Sequence, residues 1–236
     1  MLFSTLIATS LVVLSAAIPV TIHKEHSGTP LRRQAASLCD QYGYYAANGY
    51  DTSGSGVRWS TTWDWQGGQD NVKSYANAGK QFAKGIRISG IKSMPTNIQW
   101  DYQPRDIRAN VAYDVFTAAD PNHDTSSGDY ELMIWLARIG SVWPIGSKVT
   151  TVNVAGFNWD LYVGPNGNMK VFSFIPSDGS WKFGFNADIK QFFNYLASNQ
   201  RYPINNQHLI VFHQGTEPFT GSAKYTVSSY SASVNV

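Results

Sequence analysis

Past residue 33 the chain never runs far without a turn signal, and this punctuation constrains the fold more than any other feature. Short apolar and aromatic stretches span 41–48, 57–65, 71–76, 86–93, 98–102, 110–117, 130–137, 150–154, 157–163, 169–174, 208–213 and 224–234. Between them stand Gly67-Gly68, Pro95, Pro121-Asn122, Gly164-Pro165-Asn166-Gly167 and Ser177-Asp178-Gly179. Many short strands separated by such residues predict an all-β sandwich or barrel. Only 186–199 has helical period: Ile189, Phe192, Phe193 and Leu196 recur at i, i+3, i+4 and i+7. Asn186 is placed to cap this helix, with Asp188 in its first turn. The helix is expected on the outer face of the sheets.

The 236 residues are enough for one large all-β domain. The N-terminus reads differently from the rest. Residues 6–17 are apolar and end in small side chains, Ser15 and Ala17 among them, which predicts a secretory signal over 1–17. A polar stretch, 18–33, then ends in Arg32-Arg33, a dibasic pair that fits removal of a propeptide. The domain expected to remain is 34–236. Losing residues 1–33 takes basic residues from 18 to 15 and acidic ones from 16 to 15, so the mature net charge is zero. Such a chain has no electrostatic pull toward nucleic acid or anionic lipid, and neither is expected as a partner. Charged residues make up 14% and aromatic residues 14%, with 8 Trp. That balance fits either an aromatic β core or a surface for flat apolar ligands. The one cysteine, Cys39, has no partner for an internal disulfide.

Familiar sites are missing from the sequence. There is no HExxH, no Cys/His cluster, no GxGxxG, no phosphate-binding loop and no GxSxG. No metal or cofactor is expected. His208 and His213 read as surface or hydrogen-bonded residues.

The informative segment is 129–136, Asp-Tyr-Glu-Leu-Met-Ile-Trp-Leu. Strand alternation puts Leu132, Ile134 and Leu136 on a core face and Glu131, Met133 and Trp135 on the other. A carboxylate between a thioether and an indole is costly unless it is used or paired. Read alone, an outward salt-bridged Glu is equally compatible. In the preceding strand Val111, Tyr113 and Val115 share one face, and Asn110, Ala112 and Asp114 the other. If the two strands pair, Asp114 lies beside Glu131, and two close carboxyl groups push their pKa values apart. A third acidic group, Glu217, stands in Gly215-Thr216-Glu217-Pro218-Phe219-Thr220-Gly221, where Pro218 biases it toward an extended backbone. An ordinary turn is the alternative there. Two glutamates facing one cleft point to glycoside hydrolysis, which needs a carboxylate at the anomeric carbon and a carboxylic acid at the leaving oxygen. Trp59, Trp63, Trp65 and Trp135 then become candidate platforms for sugar rings, against core packing for each.

At this point the sequence resembles fungal glycoside hydrolase family 12, which contains endo-β-1,4-glucanases and xyloglucan-specific endoglucanases. The resemblance is carried by Ser93-Met94-Pro95-Thr96, 110–117, Pro121-Asn122-His123, 128–136, Pro144-Ile145-Gly146-Ser147 and 215–222, and extends from Cys39 to the C-terminus. It implies a two-sheet β-jelly roll with a curved inner sheet forming a cleft and one outer helix. It also implies retaining hydrolysis through a glycosyl-enzyme intermediate. By matching positions, Glu131 is the implied nucleophile, Glu217 the general acid/base and Asp114 the partner of the nucleophile. Trp63, Trp65, Met133, Trp135 and Asn110 are implied in substrate binding. One departure stands out. After Asn48-Gly49-Tyr50 the family continues through a strand with a sugar-stacking Trp and then a second cysteine, whereas this chain passes through 51–57 directly to Trp59. A lost exon or a natural deletion would each account for that.

The expectation is a secreted, monomeric, retaining endo-β-1,4-glucanase acting on cellulose-type glucans without a cofactor. The alternatives are a xyloglucan-specific endoglucanase of the same family, a catalytically impaired glucan-binding protein, and a surface effector that has kept the fold.

Overall fold

The computed structural model describes residues 36–40, 43–51 and 57–236. The expected signal and propeptide lie outside them, as do residues 52–56 within the shortened segment. In chain order the strands are β1 (Ala36–Asp40), β2 (Gly43–Asp51), β3 (Val57–Trp65), β4 (Ala76–Gly79), β5 (Pro95–Gln103), β6 (Arg108–Ala118), β7 (Tyr130–Ile139), β8 (Ser147–Val154), β9 (Phe157–Asn166), β10 (Met169–Pro176) and β11 (Gly184–Asp188). Helix α1 (Lys190–Asn199) follows, then β12 (His208–Leu209) and the long β13 (His213–Ala232).

The strands make a jelly roll of two layers that share β13. Its first half pairs with β4 and β6, in an inner layer ordered β4-β13-β6-β7-β10-β9-β8. Its second half pairs with β3 and β5, in an outer layer ordered β1-β2-β3-β13-β5-β11. The crossing is made at Gly221, whose φ of +121° excludes most side chains and whose absent Cβ would meet the Ile107 side chain at 2.9 Å. β10 runs parallel to β7, so 140–168 must leave β7, reach the far edge and return through β8 and β9.

Alternation sorts β6 and β7 as the sequence predicts. Val111, Tyr113, Val115, Leu132, Ile134 and Leu136 enter the core between the layers. Ala112, Met133 and Trp135 face the other way, with Val142, Val171, Ile175 and Phe219, and form a second apolar bed. The curved inner sheet thus has a core face and a cleft face. Helix α1 packs on the core-facing side of β9 and β10: Phe192 meets Trp159 and Phe174 edge-on.

Several boundaries differ from those the sequence predicts. The helix begins at Lys190 rather than near 186, because 184–188 forms β11 on the free edge of β5. Asn186 is therefore a strand residue. Asp188, just before the helix, accepts the backbone N–H of Lys190 at 2.9 Å and of Met94 at 2.7 Å. The stretch 86–93 is not a strand but a short 3-10 turn (Ile88–Gly90) flanked by single bridges. Of 71–76 only Ala76 reaches β4, and Lys73 in the preceding loop is bonded to Pro218 through its backbone. The segment 215–221 is not a turn; it belongs to β13.

Candidate active site

Glu131, Asp114 and Glu217 come together on the cleft face. Strands β6 and β7 are antiparallel, with Asp114 opposite Met133 and Phe116 opposite Glu131, so Asp114 and Glu131 are diagonal neighbours on one face. His213 at the start of β13 is opposite Asp114, and Glu217 farther along β13 is opposite Asn110. Pro218 follows Glu217 in the strand, and the register with β6 shifts between Pro218 and Thr220. Such an irregularity is expected where proline cannot donate to the ladder. One cavity is lined by Tyr75, Asp114, Glu131, Asn166, His213 and Glu217, among others.

Three carboxyl groups in one desolvated space cannot all ionise easily. Burial, the charge of Glu131 and then that of Glu217 hold Asp114 well above the carboxylate range. Burial and then the charge of Glu217 raise Glu131 above the carboxylate range, against hydrogen bonds from Asp114 and Asn166 that favour its charged form. Of the pair, Asp114 keeps the proton and donates it toward Glu131. Oxygen Oε2 of Glu131 and Oδ1 of Asp114 have no partner among the described residues. Glu217 is pushed up to about 7 by burial, offset in part by a bond from Asn110. The Asn110 amide nitrogen donates to Glu217 Oε2, and its carbonyl oxygen accepts the Glu217 backbone N–H at 3.1 Å.

Behind Asn110 the hydrogen bonds continue into the core. Thr216 Oγ1 donates to the Asn110 backbone carbonyl at 2.5 Å, Tyr102 and Thr216 share a hydroxyl bond at 2.8 Å, and Trp63 Nε1 donates to Tyr102 at 2.7 Å. Trp63 is thus tied to the Glu217 support from the core side. It and Trp65 are fully buried, so neither is a sugar platform. Alternation along β3 turns Trp59, Trp63 and Trp65 inward together. Met133 and Trp135 do lie on the cleft face, but at 5% and 2% exposure they form its bed rather than an open platform.

The sequence reading missed Tyr75, Asn166 and His213 as cavity residues. His213 is half-buried in the cavity wall, and burial holds its imidazole down at about 4. The sequence offered a signal only for His213, two residues before the Glu217 segment begins at Gly215. No group of His, Cys, Asp and Glu that could hold a metal ion occurs among the described residues. Among the same residues no helix is long and apolar enough to cross a membrane.

The family model described as Glycosyl hydrolase family 12 matches residues 39–235. The chain is 48% identical over 188 residues to Endoglucanase A of Aspergillus kawachii, covering 78% of this chain and 77% of that protein. It is also 48% identical over 187 residues to Xyloglucan-specific endo-beta-1,4-glucanase A of Emericella nidulans, covering 78% and 75%. The catalytic domain of Humicola grisea Cel12A, solved with a soaked thio cellotetraose, superposes with a TM-score of 0.80 and 52% identity over 82% of this chain and 87% of that one. Trichoderma harzianum Endoglucanase 3 superposes with a TM-score of 0.79 and 41% identity over 86% and 98%.

Proposed function

The chain belongs to glycosyl hydrolase family 12 and is a glycoside hydrolase, and on that premise we propose that it cuts internal β-1,4-glucosidic bonds with retention, using Glu131 and Glu217. The observation that carries this reading is the one cleft cavity that Glu131, Glu217 and Asp114 line together. Glu131 as carboxylate attacks the anomeric carbon and forms a glycosyl ester. Glu217 as carboxylic acid gives its proton to the leaving oxygen as that bond breaks. Glu217, now a carboxylate, takes a proton from an incoming water, whose oxygen displaces Glu131 and restores the first state. Retention needs the two carboxyl groups about 5–5.5 Å apart, with no room for a water between nucleophile and sugar. Asp114, holding a proton between ionisations, donates to Glu131 and steadies its charged form. Asn110 aims Glu217.

Cellulose-type glucan is the substrate class, in line with the Aspergillus relative named an endoglucanase and the neighbour solved with a thio cellotetraose. A xyloglucan-specific enzyme is the second reading, favoured by an equally similar relative of that name. The working form is a secreted monomer, with residues 1–17 removed as a signal and 18–33 as a propeptide. Incubation with an activated 2-fluoro-cellobioside tests the mechanism. The expected result is a stable adduct of one cellobiosyl unit, located on Glu131 by mass spectrometry. Products of inverted configuration, or an adduct elsewhere, would overturn it. Reducing-sugar release from carboxymethyl cellulose, mixed-linkage glucan and xyloglucan separates the two substrate readings.

A further inference from the structure

The chain hides nearly all its indoles. Of eight tryptophans, six are buried and Trp181 is half-buried, while Trp143 is 56% exposed. Trp143 stands in the 140–146 connection between β7 and β8. It is not loose. The Arg138 guanidinium carbon lies 3.8 Å from its ring centroid, a cation–π contact that covers one face. Tyr162 of β9 lies 6.1 Å away, tilted by 37°. Val142, its chain neighbour, is buried in the apolar bed of the cleft. The indole is held in place and still shows more than half its surface to solvent, an arrangement that gives up burial energy unless something lands on it.

Its position gives the occupant. Arg138 is the register partner of Asn110, and Asn110 of Glu217. Opposite residues of antiparallel strands share a face, so all three side chains are in the cleft, in one row across β7, β6 and β13. Strands stand about 4.8 Å apart, which puts Arg138 roughly 10 Å across the sheet from Glu217. Tyr162 carries the surface on to β9, where it packs against the bed that holds Met133 and Trp135. Tyr75 and Asn77, beside and on β4, line the opposite end of the cleft. A glucan lying across these strands reaches Trp143 one or two rings beyond the glutamates.

The geometry points to Trp143 and Arg138 as an outer glucosyl-binding subsite at the end of the cleft away from β4. The proposal rests on the glucan-hydrolase reading above. A β-linked glucose unit has a flat face of C–H bonds and a rim of hydroxyl groups. The C–H face stacks on the open side of the indole. The Arg138 guanidinium, in no ion pair among the described residues, donates to the hydroxyl rim. The neighbouring apolar bed keeps the platform dry and fixed.

The test compares Trp143→Ala, Trp143→Phe and Arg138→Met with the unaltered chain on cellotriose through cellohexaose. Trp143→Ala should lower kcat/KM on cellohexaose roughly tenfold more than on cellotriose, as expected for loss of one aromatic anchor. Trp143→Phe should restore most of that ratio, and Arg138→Met should move it in the same direction as Trp143→Ala. Equal losses on short and long substrates, or none, would overturn the subsite. A second readout uses the Glu131→Gln background, where cellohexaose binding is followed by tryptophan emission. The emission change should shrink and the affinity weaken when Trp143→Ala is added. This arm is independent of turnover: weakened binding here, with no glucan hydrolysed by the unaltered chain, would support the subsite and sink the hydrolase reading, while unchanged binding overturns the subsite itself.

Discussion

Asn110 holds Glu217 at two points, by its amide nitrogen on the carboxylate and by its carbonyl oxygen on the backbone N–H. The first bond favours the charged form of Glu217, against the burial that raises it to about 7. Removing it in Asn110→Ala should therefore raise the pKa of Glu217 and move the alkaline limb of the kcat/KM profile to higher pH. The same change leaves the Glu217 N–H without its side-chain acceptor, costing about 1–3 kcal/mol of stability. It should also lower kcat, because the acid is no longer aimed. A pH–rate profile with a melting curve checks both; a lower kcat with an unmoved limb would show that Asn110 only supports the strand.

Asp114 and Glu131 make a sharper sign test. The Asp114 hydrogen bond lowers the pKa of Glu131, so losing it in Asp114→Ala should raise that pKa and shift the acidic limb upward. Asp114→Asn keeps an N–H donor at the same place and should hold the limb closer to its original position. Both should lower kcat, the alanine form by roughly tenfold or more, in the range expected for a group that assists proton placement. Identical profiles for the two variants would mean that Asp114 acts only by filling space.

After burial, the charge of Glu217 does most to hold the pKa of Glu131 up. In Glu217→Ala that charge is gone, and the remaining acidic limb should move to lower pH. The reaction should be nearly lost on polysaccharide and largely regained on aryl cellobiosides in azide, because an aryloxide leaves without a proton and azide needs no base. The product should be the β-configured glycosyl azide. An α-azide, or no regain, would remove Glu217 from the acid/base role.

Much of this architecture was legible in the sequence, and the residues show why. Alternation along 130–136 sorted both faces of β7 because a strand buried on both sides must still send neighbouring side chains in opposite directions. The same rule, applied to β3, could have told that Trp59, Trp63 and Trp65 share a face; it could not tell which face met the core, because the identities alone are symmetric. The helix was placed four residues early because Asn186 fits a cap locally, while β5 had a free edge that only the tertiary fold reveals. The Glu217 segment looked like a turn since Gly215 and Pro218 are turn residues. Gly215 is instead a close approach in the sheet, where a Cβ would meet the Ala76 carbonyl oxygen at 2.2 Å. Tyr75 and Asn166 enter the cavity from loops and strand ends, where no periodicity marks them.

The shortened stretch between Tyr50 and Trp59 carries the last prediction. The resemblance calls for a further cleft strand and a second cysteine there. In the described residues β4, at the edge of the inner layer, is only four residues long and pairs with β13 alone. An extra strand beside it would cover an unpaired edge and lengthen the cleft on the side of Tyr75 and Asn77. Remote contacts with substrate help to position and distort the reacting ring, so their loss lowers kcat as well as raising KM. A disulfide from Cys39 to the restored cysteine would add about 2–4 kcal/mol, and each kcal/mol is worth roughly 2–4 °C in a domain of this size. The form with the strand and cysteine inserted should therefore melt several degrees higher, cut long glucans faster with a smaller gain on cellotriose, and show no free thiol. The chain as it stands should titrate one thiol and form some disulfide-linked dimer under oxidising conditions. Equal melting temperatures and equal rates on long glucans would show that 51–57 is a complete natural closure of the hairpin between β2 and β3.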